Sequence, residues 1–441
     1  MRMDLSCFFS YSYFFMYFPR KSQVCFCVPR IHKPEGHEQA RRSTTRAKPK
    51  TRAWTKMKMR SSFVVLAAVL VLAFAASSEA VRTKRVHSKQ SLDLLDANPS
   101  LLFERFERDQ GKSYGTVEER ARRFDIFRSN VEKARALNAR SGSSATFGVT
   151  KFMDWTEQEF SEKVLMRKQH GAQVPRREGG FKLRGAIEDA PSSWDWRDHG
   201  AVTSVKNQGT VGTCWAFSAV GNIEGQLALV DGTLESLSVE QVTDCDGGSF
   251  PNNRTGDCQV FGGWPFLAYE YVMNAGGIEL DDDYPYCMLN ETCWPCAPPG
   301  WNTTICGPPQ PYCKKEDSCH FDKTKVAAKL ASWASLSQNE EELKAQLHQN
   351  GPVSIAIDAT SLYIYWGGVV EGHLCSSDPG DVDHAVLLVG YGSETNIFGK
   401  EVPYWIVKNS WGADWGEKGY FRLYRGKNTC GVANYATTSI M

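Results

Sequence analysis

Hydrophobic positions along this chain follow two periods, a helical one in the first half and a strand-like one towards the C-terminus. Between Leu101 and Asn138, apolar residues recur every three or four positions in a highly charged stretch, which predicts a charged helix with one apolar stripe. The stripe consists of Val117, Ala121, Phe124, Phe127, Val131, Ala134 and Leu137, and Gly142 ends the pattern. Taken alone, such a helix is an ordinary surface helix packed against a core.

A second helix is predicted directly after a glycine-rich loop. Residues 208–218 read Gln-Gly-Thr-Val-Gly-Thr-Cys-Trp-Ala-Phe-Ser, and the helical pattern then continues to Gly232. Its apolar positions are Phe217, Val220, Ile223 and Leu227. Cys214 therefore lies on the first turn, where unpaired N–H groups and the helix dipole favour a thiolate. We expect this cysteine to be a nucleophile.

Strand-like runs occupy the C-terminal part of the chain, and glycines separate them as in an antiparallel sheet. The runs are Pro352 to Asp358, His384 to Gly392, Tyr404 to Val407 and Gly419 to Tyr424. His384 opens one run, and Asn409 closes another. By spacing alone, such a histidine is more often a hydrogen-bonded core residue, and such an asparagine is more often a turn residue.

Composition and charge narrow the class of protein. The 441 residues are 42% hydrophobic, which is enough for a packed core, and 51 basic residues nearly balance 50 acidic ones. The net charge therefore suggests neither a nucleic-acid partner nor a membrane surface as the partner.

The N-terminal residues have the features of a leader rather than of a fold. Residues 57–80 combine basic residues, a 14-residue apolar run from Phe63 to Ala76 and a small-x-small cleavage site, as a secretory signal does. The run is shorter than the ~20 residues that cross a membrane, so we expect no permanent anchor. We expect translation to begin at Met57 or Met59, which would make residues 1–56 a gene-model extension. The alternative is a longer bipartite targeting region.

The stretch from Arg167 to Gly185 is polar, basic and glycine-containing, which predicts an exposed linker that a protease could cut. A helical segment, a cuttable linker and a nucleophile loop, in that order, form the layout of a zymogen. Eleven cysteines follow the linker. Because cysteines of a secreted chain pair, an odd number leaves at least one thiol free, and we expect Cys214 to be free.

Motifs around Gln208, Cys214, His384 and Asn409 carry a resemblance to the papain-like cysteine proteases, from about residue 101 to the C-terminus. The 208–218 loop is similar to the family's Gln-Gly-x-Cys-Gly-Ser-Cys-Trp-Ala-Phe-Ser, with histidine and asparagine motifs downstream in the family's order. The resemblance implies Cys214 as nucleophile, His384 as acid and base, and Asn409 as the residue that orients the imidazole. It further implies that Trp411 shields that contact, and that the Gln208 side chain and the Cys214 N–H form an oxyanion hole.

The fold that the resemblance implies is α+β. A helical lobe would carry Cys214, a β-barrel-like lobe would carry His384 and Asn409, and substrate would lie between the lobes. The implied substrate-binding residues are Gly262, Gly263, Trp264, Pro265, Ala356, Val382, Asp383, Ala385, Trp411 and, at the floor of the specificity pocket, Tyr435. We expect a shallow apolar pocket with no acidic residue to accept arginine.

The upstream helical segment resembles the family's inhibitory propeptide. Residues that match its spaced helix motif are Glu119, Arg123, Phe127, Asn130 and Asn138, with Ala134 where isoleucine is usual. Residues that match the following Gly-x-Asn-x-Phe-x-Asp motif are Gly148, Phe152 and Asp154, with Thr150 in place of asparagine. The resemblance implies a propeptide at residues 81–189 and a mature peptidase at residues 190–441.

The cysteines depart from the family pattern. Val211 stands where the family has a cysteine, so Cys258 lacks its usual partner. The resemblance implies the bridges Cys245–Cys319 and Cys375–Cys430. Six cysteines remain, and the sequence cannot sort their 15 pairings; they are Cys258, Cys287, Cys293, Cys296, Cys306 and Cys313.

Residues 287–318 form a proline- and cysteine-rich insertion, the flap. Sequence motifs for N-glycosylation at Asn253, Asn290 and Asn302 place this region at the surface. The Cys-x-x-Cys spacing at residues 293–296 could also suggest zinc, but an oxidising compartment favours disulfides. The flap lies where the cathepsin-B-like branch has an occluding loop whose histidines hold a substrate carboxylate, and the flap contains no histidine.

These features predict a cysteine endopeptidase made as a zymogen in the secretory pathway, for a lysosome, a vacuole or the extracellular space. We expect peptide and protein substrates, the chain's own propeptide as inhibitor, a monomer, no nucleic-acid partner and no metal or organic cofactor. The alternatives are an exopeptidase restricted by the flap and a non-catalytic cysteine-rich binding protein on the protease scaffold. The hypothesis of a non-catalytic binding protein would have been favoured if Gln208, Cys214, His384 or Asn409 were missing. All four residues are present.

Overall fold

A computed structural model of the chain describes residues 95–140, 144–167, 175–177, 186–248, 256–288, 293–314, 318–396 and 398–441. These residues all belong to one compact unit, Ala75–Met441. The predicted signal, the N-terminal extension and most of the predicted linker lie outside the described residues. Within the described part, no helix combines the length and the apolar character that crossing a membrane requires.

The α-helices of the described residues lie mainly in the first two thirds of the chain. They are α1 Pro99–Asp109, α2 Val117–Asn138, α3 Glu157–Val164, α4 Cys214–Asp231, α5 Val239–Cys245, α6 Pro265–Ala275, α7 Thr303–Cys306 and α8 Glu340–Asn350. Single turns of 3-10 helix occur at Ile187–Asp189, Trp196–His199, Gln259–Phe261, Lys323–Lys325, Leu362–Ile364, Pro379–Asp381 and Thr429–Gly431.

The strands form one large sheet and two small ones. They are β1 Thr146–Phe147, β2 Trp194–Asp195, β3 Ile278–Glu279, β4 Val326–Ala328, β5 Ser332–Ser335, β6 Val353–Ile357, β7 Tyr365–Gly367, β8 Val369–Val370, β9 His384–Thr395, β10 Glu401–Lys408, β11 Tyr420–Tyr424 and β12 Thr437–Ile440. The large sheet has the order β5-β12-β6-β9-β10-β11-β8, with β2 paired to β9. The four predicted runs correspond to β6, β9, β10 and β11, and together with the helices they give the expected α+β fold.

The predicted charged helix of residues 101–138 is two helices rather than one. The chain turns at Gly111, whose φ is +59°, and α2 restarts after Thr116, whose side chain accepts a hydrogen bond from Glu119 N–H. The apolar stripe is buried only in its C-terminal half, at Phe127, Val131 and Ala134, whereas Val117 is 80% exposed. The single continuous stripe was therefore wrong at its N-terminal end, where Val117 and Ala121 are exposed.

Helix α4 packs against the large sheet and places the two lobes side by side. It begins at Cys214 and ends before Gly232, which adopts a left-handed conformation with φ of +74°. Gly221 faces β9, where a Cβ would lie 3.1 Å from Leu387 Cδ2. Asn222 Nδ2 donates to the carbonyl of Pro352, which precedes β6. The α4 start and β9 are thereby held next to each other.

The segment before residue 167 attaches to the large sheet's lobe as extra secondary structure. Strand β1 pairs with β7 in an antiparallel arrangement, and Gly148 N–H donates to the Ile364 carbonyl over 3.0 Å. Gly368 makes this approach possible, because a Cβ there would lie 1.9 Å from the Ser144 carbonyl oxygen. The aromatic side chains of α1, α2 and α3 share one apolar cluster with the sheet.

Part of the predicted linker is docked rather than free. Residues 175–177 are exposed but run along the edge strand β5, where Arg177 N–H donates to Ser335 Oγ over 3.1 Å and Ser335 N–H donates to the Arg177 carbonyl over 3.2 Å. The Arg177 guanidinium also lies over the Trp333 ring. An unpaired strand edge readily accepts such a segment, which is why composition alone did not predict the contact.

Candidate active site

The glycine-rich loop delivers Cys214 into the interior at the first residue of α4. Gly212 is held against residue 260, since its N–H donates to the Val260 carbonyl over 2.9 Å and a Cβ there would lie 2.9 Å from that same oxygen. Cys214 is the free cysteine among the described residues and is completely buried. Its sulfur accepts a hydrogen bond from Ala385 N–H over 3.4 Å, which places it beside the start of β9.

His384, Asn409 and Trp411 come together on the sheet side of the same site. His384 Nε2 and Asn409 Oδ1 are 2.8 Å apart, and the imidazole stacks on Trp411 with ring centroids separated by 4.7 Å. All three side chains are buried. His384 Nδ1 has no hydrogen-bond partner among the described residues. The sheet thus presents an imidazole with one nitrogen held and the other available.

The Gln208 side chain is fixed at both ends. Its Oε1 accepts a hydrogen bond from Ser410 Oγ over 2.6 Å. Its Nε2 donates to the carbonyls of Val211 and Val164, over 2.7 and 2.8 Å respectively. The N–H group that the resemblance assigns to the oxyanion hole is therefore held by a carbonyl of the upstream segment.

Burial controls the protonation state of this site. Burial raises the pKa of the Cys214 thiol to about 12, although the N–H groups of Ala385 and of the α4 start favour the thiolate. Burial lowers the pKa of His384 to about 4, and the Asn409 hydrogen bond offsets this only in part. The thiolate predicted from the helix N-terminus was therefore wrong for this form of the protein, in which both groups are neutral.

The upstream segment crosses the site in an extended conformation directly after α3. The Val164 carbonyl accepts from Gln208, and the Leu165 carbonyl lies 3.3 Å from where a Gly212 Cβ would be. Met166 N–H then donates to the Asp383 carbonyl over 2.8 Å. Three successive residues are therefore seated across the cleft, and they bury Cys214.

The residues expected to bind substrate are mostly found in one apolar cluster. That cluster contains Trp264, Ala356, Val382 and Ala385, with Tyr435 at its edge, and also Cys214 and Met166. Trp264 and Tyr435 pack edge to face with centroids 4.9 Å apart. Gly262 lies against Met166, because a Cβ on this glycine would be only 2.7 Å from the Met166 Cβ. Gly263 and Pro265 flank Trp264 in the chain and are also buried.

Two of the expected substrate-binding residues contribute differently. The Asp383 carboxylate points into the protein, where it accepts hydrogen bonds from Ala359 N–H and Thr360 Oγ, and only its backbone carbonyl faces the cleft segment. Trp411 lies under Phe152 and Phe160 of the upstream segment, with ring centroids 5.7 and 5.2 Å apart. Sequence spacing does not reveal in which direction a side chain points.

Comparison with known proteins identifies both parts of the chain. Residues 190–440 match the model of the papain family cysteine proteases, and residues 103–160 match the cathepsin propeptide inhibitor domain. The chain belongs to the papain family of cysteine proteases. The upstream segment that crosses the cleft therefore follows an inhibitory propeptide domain, and the protein is a cysteine-type peptidase made with its own inhibitor.

Relatives and solved structures support the same assignment. Cathepsin F of Mus musculus is 38% identical over 362 residues, which cover 79% of this chain and 69% of that protein. Cysteine proteinase 1 of Dictyostelium discoideum is 36% identical over 344 residues, which cover 77% of this chain and 92% of that protein. The chain also matches the structure of digestive procathepsin L 3 from the larval midgut of Tenebrio molitor, with 31% sequence identity and a TM-score of 0.60. The match covers 78% of this chain and 100% of that chain.

Disulfides show how this papain-family chain departs from the family pattern. Cys245–Cys319 and Cys375–Cys430 are both bridged, as the resemblance implied. The six remaining cysteines form Cys258–Cys306, Cys287–Cys293 and Cys296–Cys313. The two cysteines of the Cys-x-x-Cys motif thus belong to different bridges instead of sharing a zinc ion. Cys258–Cys306 ties the flap to the loop that precedes Gly262.

The other predicted features of the flap are only partly described. Asn302 caps α7, where its Oδ1 accepts hydrogen bonds from Thr304 and Ile305 N–H groups. Glycosylation at Asn302 stays a prediction, and Asn253 and Asn290 lie outside the described residues. Val211 and Val260 pack together in a small apolar cluster with flap residues, so apolar contact surrounds the position where the family has a cysteine.

Sequence reasoning missed Ser410 and the cleft segment of the propeptide. Ser410 Oγ donates to Gln208 Oε1, which leaves the Gln208 amide N–H groups facing the cleft. Its position inside the Asn409 motif was a usable signal. Val164 to Met166 carried no such signal, because their role rests on backbone carbonyl and N–H groups that every residue has.

Proposed function

We propose that this chain is a cysteine endopeptidase synthesised as a zymogen, in which Cys214, His384, Asn409 and Gln208 form the catalytic site. The observation that carries this proposal is the continuous polypeptide in the cleft, from Val164 to Met166. Chain continues on both sides of this segment, so the cleft accommodates the interior of a polypeptide rather than only a terminus. The flap contains no histidine that could bind a terminal carboxylate.

The mechanism begins when the propeptide leaves the cleft. Removal of Met166 exposes the Cys214 thiol to water, which lowers its pKa, and His384 then accepts the thiol proton. The thiolate attacks the substrate carbonyl, and the developing oxyanion receives hydrogen bonds from Gln208 Nε2 and the Cys214 N–H. Asn409 holds the imidazole through Nε2, so that His384 can protonate the leaving amine and later activate the water that hydrolyses the thioester.

The remaining expectations extend this function. We expect maturation to cut just before Ala190, and the apolar cluster around Trp264 to bind an apolar side chain of the substrate. We expect the enzyme to act as a monomer in the secretory pathway, in a lysosome, a vacuole or the extracellular space. The disulfides of the described residues fit an oxidising route of synthesis.

The test is to express the full chain in a secretory host, incubate it with reductant at mildly acidic pH, and follow cleavage of an internally quenched peptide blocked at both termini. A parallel peptide with both termini free reports exopeptidase activity through release of a terminal dipeptide. Cys214→Ala is the matched control, because it removes only the sulfur. We expect the wild type to cleave the doubly blocked peptide as the propeptide disappears, and Cys214→Ala to cleave neither.

The outcomes separate the alternatives. Cleavage of only the unblocked peptide would replace the endopeptidase by an exopeptidase restricted by the flap. Failure of the processed wild type both to cleave peptides and to react at Cys214 with an epoxide inhibitor would overturn the catalytic assignment.

A further inference from the structure

Two buried carboxyl groups lie directly behind one side of the substrate cleft. That side, the cleft wall, consists of Gly262, Gly263 and Trp264. Asp257 Oδ1 accepts a hydrogen bond from Trp264 N–H over 2.5 Å. The wall packs so closely on this carboxyl group that a Cβ on Gly263 would lie 2.3 Å from Asp257 Oδ1. Asp257 therefore sets the position of the wall.

Asp257 is paired with a second aspartate. Asp257 N–H donates to Asp246 Oδ1 over 3.4 Å, so the two aspartates lie side by side. Both residues are only 1% exposed. Two neighbouring buried carboxyl groups do not both ionise, because burial disfavours each charge and two carboxylates repel, so one of them retains a proton. These two residues are the carboxyl pair.

Among the residues that the structure describes, no basic side chain is found to offset the negative charge of the carboxyl pair. The charged and titratable groups that act on it are Glu270 and Tyr271 of α6, and Glu270 disfavours ionisation of both aspartates. Each pair member also has an Oδ2 atom without a hydrogen-bond partner among the described residues. The environment therefore favours a single negative charge on the pair over two.

The flap packs beside the carboxyl pair. A Cβ on Gly247, the residue after Asp246, would lie 3.2 Å from both Pro298 and Trp301 of the flap. Gln259, which follows the disulfide-bonded Cys258, donates to the carbonyl of Cys296 over 3.2 Å. The flap thus contacts chain neighbours of both aspartates.

We propose that Asp257 is a positioning residue, which holds the cleft wall through a carboxyl pair with Asp246 that retains one proton, and that substrate binding weakens when this proton is lost. The inference rests on the proposed substrate cleft and adds a cause for pH-dependent substrate affinity. It assigns Asp246 and Asp257 to binding rather than to bond cleavage.

The direction of the pH effect follows from burial. Burial raises the pKa of both aspartates above their usual range, and the negative charge of Asp246 raises that of Asp257 further. In acid the pair keeps its proton and the wall stays in place. As the pH rises and Asp257 loses its proton, a second buried charge forms, and the wall must move to admit water.

The test is the pH profile of KM and kcat for the processed enzyme, made from the full chain, with Asp246→Asn and Asp257→Asn as the variants. For the wild type we expect KM to rise about tenfold from about pH 5 to about pH 9, as loss of one charge-assisted hydrogen bond would cause when a buried carboxyl group ionises. Both variants should show a flat KM, because an amide supplies a permanent donor or acceptor without titrating. Their kcat and their rate of Cys214 alkylation by iodoacetamide should match the wild type.

Two matched variants complete the design. Asp231→Asn changes an exposed aspartate at the end of α4, and Arg254→Gln removes the basic residue nearest to Asp257 in the sequence. Because the proposal invokes no counter-cation, both variants should keep the wild-type profile. A wild-type KM that is independent of pH would overturn the inference, as would an unchanged rise in Asp246→Asn or a flat profile in Arg254→Gln. Failure of the proposed function is distinct, because it abolishes Cys214-dependent turnover rather than the pH dependence of KM.

Discussion

At the scale of the residue, Cys214 shows which of two opposing effects controls a cysteine at a helix N-terminus. The helix dipole and nearby N–H groups stabilise the thiolate, and burial destabilises it. Cys214 is completely buried, so burial is the larger effect and raises the pKa to about 12. Together with the neutral His384, this leaves the zymogen without a nucleophile even before access to the cleft is considered.

The thiol of Cys214 should therefore change reactivity on maturation. In the intact zymogen we expect alkylation by iodoacetamide to accelerate only at strongly alkaline pH, because the thiol pKa is about 12. After removal of the propeptide, alkylation at about pH 7 should be at least ~100-fold faster, since each pKa unit is a factor of ten in thiolate. Mass spectrometry of the peptide that contains residues 208–218 gives the rate.

Cys214→Ser controls for labelling at other positions, and gel electrophoresis at each time point shows that the zymogen is still intact. Equal alkylation rates for zymogen and mature enzyme would contradict the assignment of burial as the controlling effect.

At the scale of the element, the propeptide holds its position by adding to structure that the peptidase already has. Strand β1 extends the pairing of β7, and α3 places Phe160 against Trp411, which in turn stacks on His384. Thr150, which replaces the family's asparagine, still anchors the segment, because its hydroxyl donates to the Tyr363 carbonyl over 2.5 Å. Backbone pairing fixes the register, and aromatic packing buries apolar surface between the propeptide and the peptidase.

Removal of the Phe160 ring should weaken the propeptide more than any surface change. Phe160 is completely buried, and truncation of a buried phenylalanine typically costs about 3–5 kcal/mol. We expect the Phe160→Ala zymogen to gain activity at least tenfold faster than wild type at a pH where the wild type activates slowly. The rate of appearance of peptidase activity measures this.

Phe398→Ala is the matched control, because the Phe398 side chain is 71% exposed and its N–H donates within its own turn, to Asn396 Oδ1. An activation rate of Phe160→Ala equal to that of the control would mean that α3 does not anchor the inhibitor.

At the scale of the whole molecule, charges within the propeptide couple its structure to pH. Arg123 donates to both Glu119 and Glu159, over 2.6 and 2.9 Å, and Lys112 donates to the buried Asp154 over 2.9 Å. Burial raises the pKa of Glu159, but hydrogen bonds from Thr156 N–H and Arg123 outweigh it, so the net shift is downwards. A lowered pKa gives stability that is present above the ordinary glutamate pKa and is lost as pH falls below it.

Acid should therefore loosen the zymogen partly through Glu159. In the inactive Cys214→Ala background, Glu159→Gln should lower the melting temperature at about pH 7 by about 2–6 °C, since hydrogen bonds to a charged group are lost. The difference should shrink as the pH falls below ~4, where the parent also loses the charge. Differential scanning calorimetry across pH gives both values.

Glu162→Gln on the same helix is the matched control. Glu162 is exposed, and its carboxylate accepts a hydrogen bond from the neighbouring Gln158 side chain of α3. If Glu159→Gln and its parent differ in melting temperature by the same amount at every pH, the charge of Glu159 does not cause the loss of zymogen stability in acid.

Local pattern in the sequence determined much of this protein. The helix from Cys214 to Asp231, four strands of the large sheet and the motifs around Gln208, Cys214, His384 and Asn409 all depend on neighbours within a few positions. Periodicity and turn residues report such short-range interactions directly. The odd number of cysteines after the linker likewise required a free thiol, whatever the fold.

Tertiary structure alone decided the rest. The pairing of the flap cysteines, the inward direction of the Asp383 carboxylate and the carboxyl pair of Asp246 and Asp257 all depend on how the chain folds around these residues. The neutral state of Cys214 is the clearest case, because its helix position favours a thiolate and only burial under Met166 and its surroundings reverses this. Burial and long-range contacts depend on how elements pack, and local sequence spacing carries no information on them.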